Sequence, residues 1–184
     1  MNLKKGITVY CASSDNIDRT YFDAAYALGK EIAAHGLPVI NGGGKMGLMA
    51  ATTDGALDNG GEAIGVIPQF MVDAGRNYTR LTRTIITPDM HERKRRMADL
   101  ALGVIALPGG VGTFEELTEM MTARKLGLFS GGVVILNINE YYDPMLQMLD
   151  KSKEEGFTYG PDSWEVATTP TQAVEIILKY ANAY

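Results

Sequence analysis

The sequence holds one cysteine, Cys11, among 184 residues. No intrachain disulfide can form, and a cysteine-based metal centre is excluded. Histidine is nearly as scarce: His35 and His91 lie far apart, so a histidine-rich metal site has no ligand set. No apolar stretch approaches the roughly 18 residues of a membrane span. Met1 to Gly6 leads directly into a strand-like run without the pattern of a signal peptide. The expectation is a cytoplasmic chain with no membrane partner. A broad basic surface is missing too: 17 Lys and Arg face 22 Asp and Glu, for a formal charge of -5. Nucleic-acid binders draw much of their affinity from neutralising phosphates, so none is expected as a partner. Positive charge concentrates only at Arg93-Lys94-Arg95-Arg96. A local basic cluster in an acidic protein fits one small anion better than a polymer.

Apolar residues, by contrast, make up 46% of the chain, enough for a sizeable core. Residues 1–184 read as one domain, with no repeat, low-complexity tract or linker. Short apolar runs are expected to be strands at Ile7–Ala12, Leu37–Ile40, Ala63–Ile67, Thr84–Thr87, Gly103–Leu107, Val133–Ile138 and Trp164–Ala167. Helical spacing is expected over Asp18–His35, Met46–Leu57, Pro88–Ala101, Thr113–Leu126, Pro144–Glu155 and Pro170–Ala181. In the helix from Pro88, residues Met90, Met97 and Leu100 face inward on this reading. Gln69–Arg83 is polar and lacks a clean period, so it reads as a loop or lid. Strands alternating with amphipathic helices predict an α/β fold: a doubly wound parallel sheet with helices on both faces. Ligands bind such sheets beyond the carboxyl ends of the strands. Three turns fall there: Ser13-Ser14, Gly42-Gly43-Gly44 and Gly109-Gly110.

Gly42, Gly44 and Gly47 satisfy G-x-G-x-x-G, but after the second strand instead of the first. Glu62 precedes the third strand where a dinucleotide site wants an acid at a strand's end, so NAD binding is disfavoured. Pro108-Gly109-Gly110-Val111-Gly112-Thr113 joins a strand to a helix and can bring backbone N–H groups and the Thr113 hydroxyl to an anion. No Gly-Lys-Ser/Thr follows, which excludes a Walker-type loop. Without a ligand, the same run would be a tight turn with a capping Thr. Glu115 and Glu116 fall in the first helical turn, about 100° apart, so their roles can differ. A carboxylate there is expected to stay ionised beside the helix dipole and an arginine, and so to make a poor general acid. In the basic run only one or two side chains can reach a site, and an arginine suits a carboxylate or phosphate best.

Asp89-Met90-His91-Glu92-Arg93-Lys94 followed by Pro108-Gly109-Gly110-Val111-Gly112-Thr113-Phe114-Glu115-Glu116 resembles the LONELY GUY family, nucleotide phosphoribohydrolases long labelled lysine decarboxylases. Cys11-Ala12-Ser13-Ser14 and Gly42-Gly43-Gly44 with Gly47-Leu48-Met49 are similar to the family's two earlier turns, and the resemblance spans nearly the whole chain. It implies a Rossmann-like homodimer that splits a nucleoside 5′-monophosphate, such as AMP or N6-substituted AMP, into free base and ribose 5-phosphate. It implies Arg93 and Glu116 as the catalytic pair. It implies substrate contacts from Ser13, Ser14, Gly43, Gly44, Met90, Lys94, Pro108, Gly109, Gly110, Val111, Gly112, Thr113, Phe114, Glu115 and Thr122. No metal or cofactor is expected. Lys45 and Lys125 lack the motif that a pyridoxal-binding lysine would bring. Gln69–Arg83 departs from the family pattern, which leaves base selectivity open. The competing reading is a carrier of a nucleotide or of molybdenum cofactor, related by fold and without turnover. Leu117, Met120, Met121 and Leu128 offer apolar surface for a dimer, or core for the monomer.

Overall fold

The computed structural model describes residues 4–182; the reading of the first residues as free of a signal pattern falls partly outside them. The strands are β1 (Gly6–Tyr10), β2 (Val39–Asn41), β3 (Ala63–Pro68), β4 (Arg83–Thr87), β5 (Ala101–Ala106), β6 (Gly132–Leu136) and β7 (Glu165–Ala167). The helices are α1 (Arg19–Ala34), α2 (Gly47–Leu57), α3 (Gln69–Asp73), α4 (Met90–Asp99), α5 (Val111–Lys125), α6 (Asp143–Glu154) and α7 (Pro170–Ala181). The strands form one seven-stranded sheet in the order β4-β3-β2-β1-β5-β6-β7, every pairing parallel. The expected α/β architecture is therefore present.

Local chemistry sets the helix starts. Asp18 caps α1 by accepting from the Thr20 N–H at 2.8 Å, and Asp89 caps α4 through the Glu92 N–H at 2.8 Å. Thr169 caps α7, where Pro170 occupies the first turn and has no N–H that would need an acceptor. The helix predicted over Pro88–Ala101 stops at Asp99, because Ala101 is already paired to Gly6 in β5. The segment Gln69–Arg83 is not all loop: its first residues form α3 and its last enters β4.

Alternate residues of the buried strands feed two cores. On one face Ile7, Val9 and Ile105 pack with Leu28 and Ile32 of α1, Leu48 of α2 and Val174 and Ile177 of α7. On the other Tyr10, Val104 and Ala106 pack with Met97 of α4 and with Leu117, Met120 and Met121 of α5. Those last three residues are monomer core, which decides between the two roles open to them, while Leu128 stays 78% exposed. Of the three α4 residues expected inward, Met97 is fully buried and Met90 and Leu100 are half-buried, and Arg93 turns inward as well. The strand order reverses between β1 and β5, and a crevice opens there at the carboxyl edge.

Candidate active site

A cavity of about 510 Å³ lies at that edge, within the size range of small-molecule sites. Its walls come from the turns after β1 (Cys11, Ala12, Ser13), β2 (Gly42, Gly44, Lys45, Met46) and β5 (Gly110, Gly112, Thr113). Met90, Arg93 and Met97 of α4 and Glu115 and Glu116 of α5 complete it, with Met49, Ile67, Met71 and Arg76.

Arg93 and Glu116 are 23 positions apart in sequence and form one buried pair: Arg93 Nη1 donates to Glu116 Oε1 at 2.6 Å. Each residue is only 8% exposed. Arg93 Nε also donates to the Val66 carbonyl at 3.2 Å, so the guanidinium is fixed from two sides. Gly42 makes room for it, since a Cβ at that position would collide with the Arg93 guanidinium. Glu116 Oε2 accepts no hydrogen bond from the described residues, yet no fully buried side-chain polar atom lacks a partner, so this oxygen opens onto the cavity.

The electrostatics of Glu116 differ from the sequence expectation. Burial pushes its carboxyl above the ordinary value, and the opposing pull of Arg93 does not cancel that. Removing the carboxylate from water outweighs one cation, so Glu116 takes up a proton more readily than a surface glutamate. Its neighbour Glu115 sits exposed at the cavity rim and pairs with Lys94, which also holds Glu119 at 3.0 Å. The Glu115 contact raises the Lys94 pKa and keeps it cationic. Arg95 and Arg96 point to solvent and pair with Glu92. One arginine of the basic run thus enters the site, as helix geometry requires.

The turn from β5 into α5 presents a row of free donors. The first helical bond is Phe114 N–H to the Gly110 carbonyl at 3.1 Å, so the N–H groups of Val111, Gly112 and Thr113 have no intrahelical acceptor. Gly109 and Gly110 N–H have no acceptor among the described residues either. Thr113 is buried against Gly109, where a Cβ would strike its hydroxyl. Five consecutive unpaired amides at a helix N-terminus are the donor arrangement that an anion can use.

The site residues implied by the resemblance are thus partly brought together. Ser13, Gly44, Met90, Arg93, Gly110, Gly112, Thr113, Glu115 and Glu116 line the cavity. Gly43 lies behind the second turn, its N–H donating to Asn41 at 2.9 Å. Ser14 accepts from the Asn16 N–H at 3.2 Å and points elsewhere. Lys94 lines a neighbouring groove between α4 and α5. Pro108 and Gly109 form the back of the turn, Val111 is exposed, and Phe114 stacks on Tyr141 and Tyr142. Thr122 is exposed on the fourth turn of α5, away from the cavity. Lys125 is tied to the Tyr159 and Pro161 carbonyls. No cluster of three or more His, Cys, Asp or Glu suited to a metal ion occurs among the described residues.

Sequence reasoning missed Lys45, Met46, Met71 and Arg76 as wall residues. Arg76 lies in the strap that follows α3, whose carbonyl accepts from the Lys45 N–H at 3.0 Å; beside it the Tyr78 N–H donates to the Gly43 carbonyl at 2.9 Å. Gly44 and Asn77 form an antiparallel bridge there. Neither Lys45 nor Arg76 forms an ion pair among the described residues, so both leave positive charge at the cavity.

Residues 49–178 match the family model described as possible lysine decarboxylase. A cytokinin riboside 5′-monophosphate phosphoribohydrolase of Rhodococcoides fascians is 41% identical over 154 residues, 83% of this chain and 78% of the relative. The corresponding enzyme LOG of Oryza sativa subsp. japonica is 38% identical over 173 residues, 94% of this chain and 71% of the relative. The chain belongs to the LONELY GUY family. Solved structures similar in fold include the molybdenum cofactor carrier protein of Chlamydomonas reinhardtii, with TM-score 0.75 and 24% identity over 99% of this chain and 100% of that one. The molybdenum cofactor binding protein of Rippkaea orientalis gives TM-score 0.74 and 21% identity over 97% and 98%. At that identity the LONELY GUY chain shares their architecture and nothing narrower is shown.

Proposed function

We propose that the chain hydrolyses the N-glycosidic bond of adenosine 5′-monophosphate and its N6-substituted forms, giving free base and ribose 5-phosphate. The observation that carries this reading is the buried Arg93–Glu116 pair, with one carboxylate oxygen open to a cavity that also holds the free amides of the α5 N-terminus. The 5′-phosphate sits on those amides. The C1′–base bond breaks with its electrons going to the base, and positive charge builds on the ribose. Glu116 stabilises that charge or attacks it, Arg93 holds Glu116 in place, and a water oxygen ends on C1′ while its proton goes to the base. Met46, Met49, Met71 and Met90 supply adaptable apolar wall for an alkyl group on the base. The relatives named as phosphoribohydrolases support the same chemistry.

The proposal extends to a homodimer in the cytoplasm that needs neither nucleic acid nor a membrane. No helix among the described residues is long and apolar enough to cross a bilayer. A carrier of nucleotide or molybdenum cofactor shares the fold but has no use for a buried glutamate with one oxygen open to the cavity. The deciding assay measures base released from AMP, an N6-alkyl AMP and adenosine. Release from the two nucleotides, little from adenosine, and a drop of about 10³-fold or more in Glu116→Gln are expected. Binding without ribose 5-phosphate production would instead favour the carrier.

A further inference from the structure

The turn Leu107-Pro108-Gly109 carries three consecutive carbonyls, and each is held from behind. Pro108 O accepts from the Ala12 N–H at 3.1 Å. Leu107 O accepts from the Tyr142 hydroxyl at 2.8 Å, and Gly109 O accepts from the Tyr141 hydroxyl at 2.5 Å. The two tyrosines are adjacent in sequence and come from the turn after β6, on a different crossover from the glycines they hold. Their rings cross edge-to-face at 5.2 Å, and Phe114 of α5 packs against both.

That turn is built to aim them. Asn139 and Glu140 both have positive φ, 53° and 58°, a conformation that non-glycine residues rarely adopt twice in succession. Asn137 fixes the turn by accepting from the Tyr142 N–H at 2.8 Å and donating to Asp143 at 2.7 Å. Backbone strain of this kind persists only where surrounding contacts over-determine it.

A peptide unit is planar, with its C=O and N–H pointing opposite ways. Fastening the Gly109 carbonyl therefore sets the direction of the Gly110 N–H, which belongs to the cavity wall and has no other acceptor among the described residues. We propose that Tyr141 is a positioning residue for the anion site: it pre-orients the Gly110 amide toward the phosphate without touching it, while Tyr142 holds the Leu107–Pro108 peptide, which has no N–H to offer. The inference rests on the phosphate lying at that helix N-terminus, as in the function proposed above.

Tyr141→Phe tests it, since the ring stack survives and only the hydroxyl is lost. Ribose 5-phosphate binding by calorimetry is expected to weaken roughly fivefold, the size of one hydrogen bond. Adenosine binding should stay unchanged, as should the melting temperature within a few degrees. In the nucleotide assay the loss falls on KM, with kcat little altered, because the interaction is uniform between substrate and transition state. Tyr142→Phe, which frees a carbonyl whose peptide carries no N–H, should leave ribose 5-phosphate affinity closer to that of the unaltered protein. Unchanged ribose 5-phosphate affinity in Tyr141→Phe would overturn its role while leaving the phosphate site standing. An equal loss for adenosine would show general disruption of the fold and overturn it too. Failure of the unaltered protein to bind ribose 5-phosphate would overturn the phosphate site itself.

Discussion

Glu116 carries two opposing demands. The proposed reaction at C1′ calls for a carboxylate, while burial makes the carboxylate costly and lifts its pKa above the ordinary glutamate value. The sign of the consequence follows from linkage. Because the folded protein binds this proton more tightly than the unfolded chain does, the stability Glu116 contributes is complete below the ordinary glutamate value and is lost as pH rises through the raised one. Activity moves the other way. With a carboxylate as the acting group, kcat/KM should climb through the raised pKa, so the acid limb of its pH profile should lie above 4.5. A profile flat down to pH 4.5 would refute the assignment. The identities of Arg93 and Glu116 were legible in the sequence because two motifs bracket them. The direction of the Glu116 shift was not, since it depends on how much water α4 and α5 exclude together. Tyr141 and Tyr142 were illegible for another reason: they act on backbone carbonyls, which carry no side-chain signature.

At the scale of elements, the strands and long helices were readable from hydrophobic period, and caps at Asp18, Asp89 and Thr169 account for where α1, α4 and α7 begin. The strap between α3 and β4 was not readable, because backbone bonds to Gly43 and Lys45 hold it instead of a periodic apolar face. Tyr78 and Arg80 pin its far end to Asp54 on α2, with Arg80 also reaching Asp58 at 2.7 Å. The glycine turn after β2 is more than a bend. It lets α4 send Arg93 beneath it, and Gly42→Ala would push the guanidinium off both Glu116 and Val66. We expect that variant to fold normally by circular dichroism and to lose activity on the order of 10²-fold through misplacement of the pair. Wild-type kcat in Gly42→Ala would mean that the Arg93 position is not critical.

Over the whole molecule, α4 and α5 bury their inner faces but leave a groove between them lined by Lys94, Glu119, Leu128 and Phe129. The homodimer proposed above is testable by sedimentation. A dimer at micromolar concentration is expected, and Leu128→Glu should shift it toward monomer if this groove lies in the interface. A monomer under assay conditions with full activity would remove the dimer from the proposal. The sequence left Leu117, Met120 and Met121 undecided between interface and core, because helical period shows which side of a helix is apolar but not what covers it. Only the packed sheet assigns them to the core.

The strand order has a consequence in time as well as in space. β1 is central, and its neighbours are β2, close behind it in sequence, and β5, which starts at Ala101. The first pairing closes a short loop, but the second must wait until nearly a hundred residues are gathered, and long-range parallel pairing is intrinsically slow. The cavity straddles that later seam, with Ser13 and Gly44 on one side and Gly110 and Glu116 on the other. Arg93 comes from the part of the chain before the seam and Glu116 from the part after it. By this reasoning their ion pair forms late, and a nascent chain that has made only its first four strands carries Arg93 without the carboxylate it pairs with.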